Sequence, residues 1–125
     1  MSYDWKQLLA IAESEVALTL TALPVNLQAQ VRQLPVTYQG RPGRELRQDG
    51  IEADTLGLFI GDSYVEQEQA SAPLPPQILL FLVNLWEFAE GDETAYRREL
   101  RTTLVHELGH YLGLDEVDLE ARGLE

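Results

Sequence analysis

The chain has 125 residues, 45% of them hydrophobic and 8% aromatic, a composition that folds and that gives room for one domain over residues 1–125 but not for two. Twenty-one acidic residues against 9 basic ones leave a net charge of −12, which repels phosphate backbones and argues against a nucleic-acid partner. Cysteine is absent, which excludes disulfides, thiolate metal sites and cysteine nucleophiles.

An acidic chain of this kind attracts cationic peptides, although a solubilising surface accounts for the same charge. The N-terminal stretch carries Asp4, Glu13 and Glu15 and no basic segment ahead of an apolar one, so no secretory leader is expected. Residues 78–83 form the longest apolar run, far too short to span a bilayer. The expectation is a soluble, cytoplasmic protein, without membrane association, that is a monomer or a small homo-oligomer.

Trp5, Leu8, Leu9, Ala12, Val16, Leu20 and Leu23 recur at steps of three and four. That spacing predicts an amphipathic helix, with Ser2 as its N-cap. Pro24 ends it and opens a second, short helix whose stripe is Leu27, Val31 and Leu34. Val36, Thr37 and Tyr38 alternate as a strand does. A loop containing Gly40, Pro42 and Gly43 follows and runs to about Asp54. Residues 56–60 carry a second strand signal, with Gly57 as a point of close backbone approach. Residues 61–76, with Pro73, Pro75 and Pro76, read as surface loop. Residues 78–83 read as a strand buried on both faces.

Asn84 and Glu87 have the spacing of a capping box opening a helical turn around Trp86 and Phe88. Gly91 breaks the chain, Asp92 caps a long helix running to Leu112, and Gly113 stands where a left-handed C′ residue belongs. Helix, helix, three strands and helix make an α+β domain with a small sheet packed on helices. Trp5, Phe81, Trp86 and Phe88 are expected in the core. Arg41, Arg44, Arg47, Arg97, Arg98 and Arg101 alternate with acids and read as ion-paired or solvated faces, not as an anion site.

Chemistry is concentrated in the long helix. His106 and His110 are the only histidines, and residues four apart lie about 40° apart around a helix, so both imidazoles share one face and can reach one ion. Glu107, about 100° round from His106, is placed to take a proton from water that zinc has acidified. Gly113 turns the chain so that the acids after it come back over the site. No phosphate-binding glycine loop is present, and Ser63 and Ser71 have no remaining histidine with which to build a nucleophilic triad.

His106-Glu107-x-x-His110-x-x-Gly113 resembles the motif of the zincin metallopeptidases. From the Leu23-Pro24 helix end through the strands at 56–61 and 78–81 to the segment 100–114, the chain is similar to the small bacterial zincin-like, or mini-zincin, family. That resemblance implies a minimal zincin-like fold, with a small mixed three-stranded sheet over an active-site helix near the C-terminus. It also implies one zinc ion per chain, held by His106, His110 and a carboxylate, with Glu107 as general base. The family usually has aspartate eleven positions into the motif. Here that position is Glu116, beside Asp115, and the two compete for the role of third ligand. Met1 is the only methionine, so the methionine turn of the metzincins is impossible.

The expected function is zinc-dependent hydrolysis of a peptide or protein substrate, lying extended along the sheet edge at 56–60. Tyr64 and Tyr111 are the candidates for stabilising the oxyanion. The alternative is a metal-binding regulatory or scaffold module that keeps the zincin fold and turns over little.

Overall fold

Asp4, not Ser2, opens the first helix: its carboxylate accepts a hydrogen bond from the Lys6 backbone N–H at 3.0 Å. The computed structural model describes residues 2–64, 75–114 and 117–118. Helix α1 (Trp5–Thr21) buries Leu8, Ile11, Ala12, Glu15, Val16 and Thr19. Pro24, with no backbone N–H to give, occupies the N-cap position of α2 (Val25–Val31), which buries Leu27 and Val31. Trp5 and Phe88 are exposed, contrary to expectation. Trp5 occupies the first helical position of α1 and Phe88 the last of its own short helix, beyond the reach of the core in both cases.

The sheet has three strands in the order β1-β3-β2, where β1 is Val36–Gln39, β2 is Gly57–Ile60 and β3 is Gln77–Phe81. The central strand β3 runs parallel to β1, with Val36 opposite Ile78, and antiparallel to β2, with Gly57 opposite Leu80. A strand covered on both faces takes apolar residues at successive positions, and β3 is apolar and buried from Ile78 to Phe81. Ile78 and Leu80 enter the main core, and Leu79 and Phe81 are also buried.

Two elements depart from the sequence-based expectation. The loop after β1 contains a short helix, α3 (Arg44–Gln48), too polar to show an apolar stripe. After Phe81 the chain passes without a loop into α4 (Leu82–Phe88). The box expected of Asn84 and Glu87 does not form, because Asn84 lies inside the helix and Phe81 holds the N-cap position without any side-chain cap bond.

Helix α5 (Glu93–Leu112) carries the histidines, and with it the described residues form an α+β fold of five helices and one mixed sheet. Asp92 caps it as expected, its carboxylate accepting from the Ala95 N–H at 2.8 Å. α5 packs between α1 on one flank and the sheet on the other. On the α1 flank, the buried Glu15 carboxylate receives Arg97 at 3.1 Å and Arg101 at 3.4 Å. Tyr96 adds a buried hydrogen bond, its hydroxyl donating to the Leu8 carbonyl at 3.0 Å.

On the sheet flank Gly57 allows the close approach that its position in a strand implied. A Cβ there would meet the Thr103 methyl at 2.5 Å. Gly57→Ala is therefore expected to lower the unfolding free energy by about 1–3 kcal/mol through overpacking. Thr103→Ser removes the obstructing methyl and should recover most of that loss in the double variant. Urea denaturation of the single and double variants measures both effects; an unchanged midpoint for Gly57→Ala would show that β2 has room to retreat.

Candidate metal centre

Seven residues of α5 other than glycine are buried: Tyr96, Leu100, Thr103, Leu104, Glu107, Leu108 and Tyr111. At about 100° per residue they share one sector of the helix. His106 and His110 lie on one shoulder of that sector. Arg97 and Arg101, each nine residues before one of the histidines, lie about 180° away on the other shoulder and turn to α1. The division leaves the histidine shoulder to β2.

Two contacts align β2 with that shoulder. Gly57 abuts Thr103, and the Phe59 ring packs on Tyr111 with centroids 5.8 Å apart. Thr103 and Tyr111 bracket His106, Glu107 and His110 in sequence, so β2 runs alongside the turns that hold all three. Among the described residues β2 pairs only with β3, so its other edge has no strand partner there. Phe81 donates to the Leu56 carbonyl at 3.0 Å, so the even-numbered residues of this strand bond to β3. Antiparallel alternation then directs the peptide groups of Gly57 and Phe59 outward.

The helix ends just beyond the histidines in a way that clears them. Gly113 adopts φ +72°, the Leu114 N–H returns to the Gly109 carbonyl at 2.8 Å, and the Gly113 N–H to that of His110 at 3.3 Å. This Schellman pair ends the helix one turn after His110.

The two imidazoles are exposed, with rings 5.0 Å apart and inclined at 76°. Their Nε2 atoms stand 3.3 Å apart. Two nitrogens on a tetrahedral zinc, each about 2.0–2.1 Å from the metal, are separated by about 3.3–3.4 Å. The pair is therefore spaced as one edge of a zinc tetrahedron, and the donors fit the ion. A Glu107 carboxylate oxygen lies within 4.8 Å of a ring nitrogen of each histidine. Unlike the histidines, Glu107 is only 9% exposed, sunk into the helix face below them. It sits deeper than simple adjacency to His106 implied, because the buried sector of α5 is centred near it. Asp115 and Glu116, the competing third ligands, lie outside the described residues.

The sequence model of the zincin-like metallopeptidases matches residues 31–124. The chain belongs to the zincin-like metallopeptidase family. A comparison with curated proteins found no match. The zincin-like match contains the whole sheet and all of α5, so the His106–Glu107–His110 cluster stands in the segment the family shares. Family and cluster together point to zinc binding.

The two tyrosines separate. Tyr111 is built into the core of this zincin-like fold, its ring between Phe59 and Tyr64 and its hydroxyl donating to the Gln30 carbonyl at 3.3 Å. Tyr64 is half-buried and edge-on to Tyr111 at 6.0 Å, next to the residue that follows His110.

Sequence reasoning took Asn84 for a cap residue and missed the buried network it builds. Buried in α4, it donates to the carbonyls of Ala53 at 2.8 Å and Thr55 at 2.9 Å, and accepts from Arg41 at 2.8 Å. Arg41 also forks onto Glu87 at 2.7 and 2.8 Å. That hydrogen-bonded guanidinium holds the Glu87 carboxyl below its ordinary range. The network ties the segment entering β2 to α4. Its one trace in the sequence is an amide inside the apolar run Leu82-Val83-Asn84-Leu85-Trp86, where an unpartnered polar group would be costly.

Proposed function

We propose that this protein is a zinc-dependent peptidase that hydrolyses extended peptides bound along the outer edge of β2. The observation that carries the reading is the 3.3 Å separation of the His106 and His110 Nε2 atoms, with the Glu107 carboxylate sunk beside them. His106 and His110 would hold one zinc ion, and Glu116 would complete the protein ligands. Zinc in that position supplies a Lewis acid that acidifies water and polarises the scissile carbonyl.

The chain's own residues do the rest. The outward peptide groups of Gly57 and Phe59 pair with substrate backbone and fix its register beside the histidines. Glu107 takes a proton from the attacking water. It returns that proton to the amide nitrogen as the C–N bond breaks, which lets the amine leave uncharged. Its low exposure shields the carboxylate from bulk water. The Tyr64 hydroxyl is the proposed donor to the developing oxyanion. Peptides or proteins are the proposed partners, not nucleic acid. No helix among the described residues is long and apolar enough to cross a membrane.

Elemental analysis of protein purified without chelator, followed by cleavage of a peptide library with and without chelator, tests the proposal. Stoichiometric zinc and chelator-sensitive cleavage are expected. Zinc without cleavage would instead make the protein a metal-binding scaffold. Absence of zinc would end the reading.

The third ligand is tested separately. Glu116→Ala is expected to weaken zinc binding by more than about tenfold, whereas Asp115→Ala leaves it nearly unchanged. Competition with a chromophoric chelator reads both. The reverse order would shift the ligand by one residue.

A further inference from the structure

We propose that Asn84 is a positioning residue for the substrate: its side-chain amide ends the peptide-pairing edge of β2 at Gly57 and holds that end in place. The inference rests on the peptidase reading and deepens it, by naming the residue that sets where a bound peptide begins to pair.

The sheet needs such a group because β3 runs out before the segment entering β2 is secured. Phe81, the last residue of β3, gives its N–H to the Leu56 carbonyl at 3.0 Å, and the chain then coils directly into α4. On the β1 side, the Val83 N–H at the start of that helix donates to the Gly40 carbonyl at 3.1 Å. On the β2 side, among the described residues, no backbone N–H reaches the carbonyls of Ala53 and Thr55. The Asn84 amide supplies both donors instead, at 2.8 and 2.9 Å. Its oxygen accepts from Arg41 at 2.8 Å. Three bonds thus fix the orientation of a side chain that is only 4% exposed.

That capture decides which peptide groups face a substrate. Leu56 bonds inward to β3, so a strand continued backwards would turn the Thr55 carbonyl outward, with the peptide groups of Gly57 and Phe59. Asn84 draws that carbonyl back towards α4, and the outward-facing edge starts at Gly57.

The same bonds steady the end they define. Phe59 is anchored by its ring on Tyr111, whereas Gly57 has no side chain and the greatest backbone freedom of any residue. Leu56 packs against the core, which holds its position but does not set the plane of the next peptide group. A Gly57 peptide group already aimed at its partner needs little ordering when a peptide pairs with it. One that frays must be ordered on binding, at a cost in affinity.

The test uses the full chain with zinc, carrying Glu107→Gln to prevent turnover. The probe is a labelled extended peptide of glycine, serine and leucine, shortened one residue at a time from either end. Asn84→Asp keeps the shape of the side chain and its bond to Arg41 but removes both donors. Binding is read by fluorescence anisotropy below the melting temperature of every variant, with zinc affinity measured on the same samples. Asn84→Asp is expected to bind the longest peptide about three- to tenfold more weakly, with zinc affinity unchanged. Shortening the peptide from the end that reaches Gly57 should remove the difference, and shortening it from the other end should not. With Glu107 intact, KM for the longest peptide should rise by the same factor while kcat holds, because a peptide once paired meets an unaltered metal centre. If Asn84→Asp fails to fold, Arg41→Gln at an exposed position decides by the same measurements, with a smaller loss in the same direction expected. The proposal is overturned by equal peptide affinity, by a loss that is the same at every peptide length, by a fall in kcat at unchanged KM, or by failure of the parent to bind any of the peptides. Cleavage of the longest peptide by protein with Glu107 and Asn84 intact is scored separately and reports on the peptidase reading alone.

Discussion

Glu107→Gln is expected to retain zinc and to lose turnover by about 10²-fold or more. The substitution keeps the size and shape of the side chain, so the helix face that holds it, between Thr103, Leu104 and Leu108, is undisturbed. What disappears is the ability to accept a proton. The amide has no basic lone pair near neutral pH, and the attacking water and the leaving amine then depend on solvent for proton transfer. Solvent is a poor substitute here, because only 9% of this residue is accessible. Initial rates on one cleaved peptide, with zinc content measured on the same samples, separate the outcomes. Equal turnover by the two proteins would remove Glu107 from the mechanism. Loss of zinc from the variant would make it a ligand instead of a base.

The second large effect is expected from the histidines. His106→Ala or His110→Ala should lower zinc affinity by more than about 100-fold, since even second-sphere substitutions commonly cost 10–100-fold and these delete a ligand. Stability should scarcely change. Both imidazoles are exposed, and α5 is held instead by Tyr96, Leu100, Leu104, Leu108 and Tyr111 in the core and by the Glu15 ion pairs on α1. Zinc per chain after gel filtration, together with a thermal melt, distinguishes the cases. Full occupancy in either variant would refute the metal assignment, and an unfolded variant would show that the metal sustains the fold.

Both expectations depend on one division of labour along α5. Arg97 and Arg101 bind the helix to α1, the central stripe fills the core, and the opposite shoulder is left for chemistry. Gly57 brings β2 against that shoulder, and the network of Asn84, Arg41 and Glu87 sets the segment that leads into β2. Substitutions in that network are expected to act on substrate alignment, not on zinc.

The sequence by itself determined the parts of this protein governed by local periodicity and local chemistry. Steps of three and four marked α1 and α2, the apolar run from Ile78 marked β3 although its last two residues, Leu82 and Val83, open α4 instead, and Asp92 and Gly113 marked the two ends of α5. Each follows from contacts within a few residues, which the linear order already contains. The metal-binding spacing was legible for the same reason, because one turn of helix brings His106 to His110 wherever that helix stands.

The tertiary structure decided the rest. Asn84 read as a cap residue because its spacing from Glu87 is that of a capping box; its actual partners, Ala53, Thr55 and Arg41, lie 29 to 43 residues away. Trp5 and Phe88 read as core because they are aromatic, yet the core fills without them. Tyr111 looked available for catalysis until α2 supplied a partner for its hydroxyl. The strand order β1-β3-β2, which leaves β2 as the edge beside the histidines, also depends on pairing between segments remote in sequence. A local pattern can state which groups a residue offers. Only the packed chain states which of them remain available, because burial and long-range hydrogen bonds are shared among elements that no single segment encodes.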